Sequence, residues 1–485
     1  MRNEQFYLRS GVTYSASGSK GVSFRFLPEN FVFDVGGSSI FIKENKFSIE
    51  YLLGFLNSTL TLYIADCLNP TVNTQVGDIQ RVPFVLPTKS QENKVSGLSK
   101  RNIDIKKILC TFKISETNFT QSPLLAFQSP AHQARVWAYL NFENAQLTQV
   151  LINEAVINEL IFEVYELSDA DRDQVEAKMG KSIGLLPVAK EAKNAFLEQI
   201  EHPINEVNKL IDNLSVSTFD EQQIREIKEG FATLYQSNND LEEFCVRHQV
   251  NPINIWYWFR EAKVLPTARA HDIALEFLAD AIRTILTEDE DGIVPLVGLP
   301  GEARLLDRLE QYCLKQGFTS AQFMQLDGLL GRPLNEYLEH HFFKNLSDHL
   351  NLFMYLPKTP FIWHLSSGPN QGFEVYVIIY KWNRDSLFRL KSQYISKRIE
   401  SLEYRQISLQ HVTSAQAINE RDLIIKQLDE IEKFSEKVDQ LIEEGYDPVL
   451  DSGVGKNIAP LQKKGMLHSE VLKAKQLEKY LLADW

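Results

Sequence analysis

Between Gly11 and Ile42 apolar and polar positions alternate through Phe24, Phe26, Phe31, Phe33, Ile40 and Ile42. A period of two predicts strands, and Gly18, Gly21, Pro28 and Gly36-Gly37 cut the run into short ones. The period then changes. In SIEYLLGFLNSTLTLYIADCL, Leu52, Leu53, Leu56, Leu60, Tyr63 and Ile64 recur at helical spacing behind Ser48, a candidate N-cap, which predicts one helix. The next stretch, LNPTVNTQVGDIQRVPF, reads as a helix stop at Asn69-Pro70 and a polar run Thr71–Gln75. Gly77-Asp78 then supplies a turn, and Ile79, Val82 and Phe84 a short strand closed by Pro83 and Pro87.

Residues 93–113 read as a basic connector with Lys94, Lys100, Arg101, Lys106, Lys107 and Lys113 against a single acid, Asp104. Helical periodicity fills the chain from about 141 to 290. Around 291–412 the texture is mixed: IVPLVGL predicts a strand, PFIWHLSS–GPNQG–FEVYVIIYKW a hairpin, and RDSLFRLKSQYISKRIESL a basic amphipathic helix. A long charged helix over Ala415–Gly445 carries a seam of Ile424, Leu428, Ile431, Val438 and Ile442, which packs on its own body or on a partner. The expected class is α+β: a small β-rich unit (1–92), a connector (93–140), a helical domain (141–290), a short mixed α/β domain with a hairpin (291–412) and a C-terminal helical segment (413–485).

Composition is that of a globular protein, with 44% hydrophobic and 24% charged residues among 485. No run of 18 apolar residues is present, and MRNEQFYLRS lacks an apolar signal core, so a cytoplasmic protein without a membrane span is expected. Cys67, Cys110, Cys245 and Cys313 lie far apart, with no disulfide or zinc spacing. A net charge of −13 argues against an anionic partner until its distribution is read. Residues 1–113 hold 14 Lys and Arg against 9 Asp and Glu, a balance of +5, which leaves −18 for the rest. An anionic partner would meet the basic end.

Motifs of catalysis are weak. VLDSGVGKN (449–457) imitates a nucleotide-cradling loop, but too little chain follows for the fold that uses one, and it reads as a glycine turn. GLPGEARLL (298–306) reads as an ordinary strand-to-helix turn. NDLEEFCVRHQVNPINIWYWFREAK (239–263) has helix-turn-helix texture, yet Trp256, Tyr257, Trp258 and Phe259 suit a core better than a groove. His340-His341 has no zinc-enzyme context, and no catalytic serine elbow occurs. The N-terminal unit is more coherent. Thr13, Tyr14, Ser15, Ser17, Ser19, Lys20, Ser23 and Arg25 form a polar, weakly basic run without an acid, suited to phosphates and base edges. Asn73 and Gln75 add amides that can pair with adenine.

GVTYSASGSKGVSFRFLPENFVFDVGGSSIF followed by LLGFLNSTLTLYIADCLNPTVNTQVGDIQRVPF closely resembles the target-recognition region of the adenine-specific DNA methyltransferases of BREX phage-defence systems, the PglX type. The similarity continues in INEAVINELIFEVYELSDADR, IVPLVGLPGEARLLDRLEQY, FIWHLSSGPNQGFEVYVIIYKWNRDSLFRL and YDPVLDSGVGKNIAP. Family members carry upstream a catalytic domain with an S-adenosylmethionine loop and an Asn-Pro-Pro-Tyr motif that holds a flipped adenine. This sequence has no Pro-Pro pair, and neither Asn69-Pro70-Thr71 nor Asn251-Pro252-Ile253 replaces the motif.

The resemblance therefore implies the C-terminal portion of such an enzyme, a split-gene product or a truncated remnant, with no catalytic, metal or cofactor residue of its own. Unit 1–92 would read duplex DNA, with Lys20, Arg25 and Arg81 on phosphates, Thr13 beside them on the same surface, and Tyr14, Asn73 and Gln75 nearer the bases. The body would dock a separate methyltransferase chain that binds S-adenosylmethionine, with other BREX components as further partners. The rival expectation is an acidic scaffold that assembles defence proteins.

Overall fold

The computed structural model describes residues 4–18, 21–34, 36–43, 46–183, 188–199, 204–218, 220–222, 239–255, 269–350 and 360–482. The class is α+β, with small antiparallel sheets and a largely helical body. Two compact units are each drawn from two stretches: Met1–Thr111 with Ala138–Thr267, and Phe112–Trp137 with Ala268–Trp485. No single helix among the described residues is long and apolar enough to cross a membrane.

In the first unit β1 (Gly11–Tyr14) lies between β2 (Phe24–Leu27) and β3 (Ser39–Ile40), antiparallel to both. Alternation holds over most of the pair: Val12, Tyr14 and Phe24 are buried on one face and Thr13 pairs with Arg25 on the other, while Leu27, at the end of β2 on that second face, is buried opposite Gly11. The expected single helix is instead two, α1 (Ile49–Leu56) and α2 (Thr59–Leu68), bent by 62°. Asn57 and Ser58 cause the break. Ser58 accepts the Thr61 N–H as a new N-cap, while Asn57 turns to β2, accepting from Phe24 N (3.0 Å) and donating to Phe24 O (2.9 Å). A second difference follows Gln75: the expected turn and strand are a short helix, α3 (Val76–Gln80), and then irregular chain. Phe84 from that chain packs edge-on against Phe55 with centroids 5.1 Å apart.

Most of the expected connector is α4 (Lys89–Cys110), a helix with buried Val95, Ile105 and Leu109. It packs on α1 at Gly54, where an added Cβ would meet Ser99 Oγ at 2.5 Å and Val95 Cγ1 at 2.9 Å. Beside that contact Glu92 accepts the Ser48 N–H (3.1 Å), and Ser48 Oγ bonds Ser96 Oγ (2.7 Å). The core of the β-rich segment is completed from far along the chain, by Ile157, Leu160, Ile161 and Phe162 of α5 (His132–Val164) and Val175 of α6 (Asp169–Met179). A separate small core holds the parallel pair β4 (Val188–Ala189) and β5 (Val216–Ser217) with helices Lys190–Gln199 and Asn205–Asp212. The first half of the helix-turn-helix-like segment is the helix Asn239–His248; the four aromatics at 256–259 lie outside the described residues.

The second unit is built on the sheet β6 (Ile293–Pro295)–β8 (Glu374–Ile378)–β7 (Ile362–Ser366), and includes the predicted strand and hairpin. Every residue of β7 and β8 is buried, so both faces of the sheet are covered. Helix α7 (Arg269–Glu288) packs on β8. On the long C-terminal helix, Ala415–Glu443, the expected seam residues Ile424, Ile431 and Val438 are buried and Leu428 and Ile442 half-buried, while Phe434 and Leu441, which the seam did not include, are buried with them. Its Glu430 accepts Asn370 N–H (2.9 Å) and Nδ2 (2.7 Å) from the hairpin turn, and a Cβ at Gly372 would lie 2.6 Å from Gln427 O. VLDSGVGKN is a turn into the helix Val454–Lys463, with Gly453 at φ +83°. Inside the unit His364 and Glu374 are both buried, 3.5 Å apart; burial lowers the His364 pKa to about 3 and raises that of Glu374.

Two stability tests follow. Gly54→Ala forces the α1–α4 contact apart and costs about 1–3 kcal/mol, while Gly97→Ala, on the same α4 with no neighbour within 4 Å, gains up to about 1 kcal/mol; urea midpoints of the full chain distinguish them. The second concerns His349, whose Nε2 lies 2.7 Å from Glu276 Oε1; that hydrogen bond raises its pKa. A raised folded value means stability that is complete below the unfolded pKa of about 6.5 and is lost as pH rises through the folded one. His349→Gln should therefore cost about 1–2 kcal/mol near about pH 6 and less near about pH 9, read from denaturation at the two pH values.

Candidate nucleic-acid interface

Beyond Tyr14 the chain continues β1 without regular pairing to β2, and here the polar loop joins it. Gly18 N–H donates to Val72 O (2.9 Å) and Thr74 N–H to Ala16 O (2.8 Å), making an isolated bridge between Ser17 and Asn73. Residues 16–18 and 72–74 are thereby held edge to edge. Arg25, exposed on β2, donates from Nη2 to Ser15 Oγ at 2.5 Å, which brings its guanidinium to the same strip.

The loop is ordered by two side chains that the sequence reading took only for parts of a helix stop and a turn, Asn69 and Asp78. Asn69 Oδ1 accepts from Thr71 N (3.1 Å) and Thr71 Oγ1 (2.6 Å), an Asx turn, and its Nδ2 donates to Asn73 O (2.9 Å) and Asp78 Oδ2 (2.7 Å). Asp78 Oδ2 also accepts the Gln75 N–H (2.9 Å) at the start of α3. Those bonds, first the one from Asn69 and then the one from Gln75, hold the Asp78 pKa below its ordinary value. The signals were present: Asn directly before Pro, and an acid three residues after Gln75.

The expected site residues fall in different places. Asn73, Gln75 and Arg81 are exposed, and the Asn73 side-chain amide has no hydrogen bond among the described residues. Thr13 is half-buried and its hydroxyl is engaged with Ser38 O (3.1 Å) and Gly37 O (3.4 Å), so it ties down the segment before β3. Tyr14 is a correction: at 2% exposure its ring packs on Phe24 (5.5 Å) in the core, and burial raises its pKa. It sits on the buried face of the pleat, so it cannot face a duplex at the surface. Lys20 lies outside the described residues.

Helix α4 adds a second basic feature to the same unit. Lys94, Lys100, Arg101, Lys106 and Lys107 are exposed, and the Lys107 ammonium stands 5.2 Å from the centre of the Phe26 ring on β2. Among the described residues no group of three or more His, Cys, Asp or Glu side chains is placed to hold a metal ion. These parts of the unit offer hydrogen bonds and exposed cations.

No family model matches the chain. It is similar to two curated proteins: the adenine-specific methyltransferase BrxX of Escherichia coli O9:H4 (strain HS), 22% identical over 94% of this chain, and the adenine-specific methyltransferase PglX of Lacticaseibacillus casei (strain Zhang), 22% identical over 95%. The chain spans about a third of the length of these relatives, 36% and 35%.

If Asp78 organises the loop, Asp78→Ala frees the Gln75 amide. Its hydrogen exchange should accelerate by about tenfold or more, while circular dichroism of the chain is unchanged. An unchanged exchange rate would show the loop is held by Asn69 alone.

Proposed function

We propose that this chain is the DNA target-recognition part of a BREX-type adenine-N6 DNA methyltransferase, which binds duplex DNA and docks a separate catalytic chain. The observation that carries the reading is the strip formed by 15–18, Arg25 and 72–75. It offers a guanidinium and two side-chain amides on exposed backbone that is itself hydrogen-bonded in place. Cations position a duplex through phosphates, and amides read base edges. Exposed cations on α4 add positive charge within the same basic stretch, residues 1–113. The likeness to two adenine-specific methyltransferases supports the reaction class. The sequence holds no Asn-Pro-Pro-Tyr, so in this reading the catalytic groups and S-adenosylmethionine are supplied from outside these 485 residues. In this reading Arg25 and Arg81 contact phosphates, Asn73 and Gln75 face bases, and Lys20 is a further phosphate contact.

A second reading, an interaction scaffold, draws on the helix Ser396–Ser408, whose Tyr404 and Ile407 are 77% and 68% exposed. Salt separates the two. Duplex binding through phosphates should weaken about 50-fold or more between about 50 and 200 mM salt, and Arg25→Ala with Arg81→Ala should flatten the log–log slope by about 2. Fluorescence anisotropy with a labelled duplex measures both. Binding that ignores salt, or is no better than that of an unrelated acidic protein, sinks the recognition reading in favour of the scaffold.

A further inference from the structure

Helix α3 leads directly out of the polar loop and forms one wall of a cavity of about 420 Å³ in the first unit. Opposite it stand Phe6, Phe33 and Phe41; Phe6 and Phe41 are stacked at 5.1 Å and Phe33 lies 5.3 Å from Phe41. Phe84, 37% exposed, and Val76, 54% exposed, are among the lining residues and leave apolar surface open to water. Among the lining residues that carry polar side chains, which include Tyr14 and Ser39, Gln80 and Lys43 have no side-chain hydrogen-bond or ion-pair partner among the described residues. An apolar, aromatic hollow with a few convergent polar groups is the form of a small-ligand site rather than of a packing defect.

We propose that this cavity is a nucleobase-binding site. Aromatic side chains stack on the π-face of any base, at about 1–3 kcal/mol per base. Gln80 can both donate to and accept from a base edge, and Lys43 suits the phosphate that accompanies the base. The volume lies within the range of small-molecule pockets, about 300–1,000 Å³. Two sources present the same chemistry: a base extruded from the duplex held by the adjoining 72–75 loop, which rests on the recognition reading, and a free nucleotide, which does not. Extrusion costs least where a base is already unpaired, so the site gives the unit a preference for locally distorted duplex.

The test uses the full chain and two probes. A labelled duplex with one unpaired adenine should bind about tenfold more tightly than its fully paired counterpart, by anisotropy. AMP should show saturation-transfer NMR contacts at its base protons. Val76→Trp, which plugs the hollow from an exposed position, and Gln80→Ala should each remove the duplex preference and the AMP contacts, with circular dichroism unchanged. AMP contacts without any duplex binding keep the site and discard the DNA-reading proposal. Salt-steep duplex binding without preference for the unpaired base and without AMP contacts overturns the site and leaves DNA reading standing. A preference that survives Val76→Trp also overturns it.

Discussion

The first unit depends on how closely α1 can approach α4 at Gly54. With no side chain there, Ser99 and Val95 reach the α1 backbone, and Ser48 and Glu92 close the contact at the helix start. From that fixed helix the rest is positioned in order. Asn57 at its end grips both backbone groups of Phe24, which sets β2 and therefore the register of β1. Ser58 starts α2 in a new direction, and α2 delivers Asn69 to organise the loop that returns to residues 16–18. The polar strip is thus held at both its edges by one helix pair, and its backbone hydrogen bonds are spent before any ligand arrives. Preorganisation of that kind reduces the ordering cost of binding.

Only half of a polar strand can face a ligand, and here the pleat decides which half. Thr13 and Tyr14 are adjacent in sequence and opposite in fate. Tyr14 shares the buried face with Val12, whereas Thr13 shares the other with Arg25. Chemical character alone ranked Tyr14 as a base contact, because a phenol can stack and hydrogen-bond. The alternation that predicted the strand also contained the answer, since Val12 and Tyr14 are two residues apart. Periodicity should be applied to candidate side chains as strictly as to the element that carries them.

Where local chemistry was strong, the elements were legible. Ser48 caps α1 as read, β6 and the hairpin lie where IVPLVGL and the GPNQG turn placed them, and the long helix from Ala415 buries Ile424, Ile431 and Val438 of its expected seam. The break at Asn57-Ser58 and the helix α3 were hidden for a shared reason. Both are local, and both are decided by a few side-chain hydrogen bonds that outweigh periodicity over a few residues. The organisation of the units was hidden for another. The cores that complete residues 1–92 come from α4, α5 and α6, more than a hundred positions away in the last case, and a composition shift along the chain carries no record of such contacts. The basic texture of 93–113 concealed a helix with one buried face, because Val95, Ile105 and Leu109 are widely spaced among lysines.

Net charge is a poor guide to what an acidic protein can bind, because a cation already neutralised by its own chain adds little to the attraction of a phosphate. Many cations are committed in both units, among them Lys89 on Glu92, Arg172 on Glu159 and Lys178 on Asp66 in the first. Arg308 bonds Asp289 and Glu302, Arg405 lies on Glu420, Lys464 on Glu444, and Arg398 donates to the carbonyls of Gly372 and Gly298. On α4, Lys94, Lys100, Arg101 and Lys107 are exposed with no ion pair among the described residues. Counterion release is set by cations free to meet phosphate, and screening over about 8–10 Å confines their field to their own neighbourhood. A chain of net charge −13 can therefore keep a local excess of cations, +5 over residues 1–113, that attracts a polyanion. Such a local excess favours encounter at that stretch.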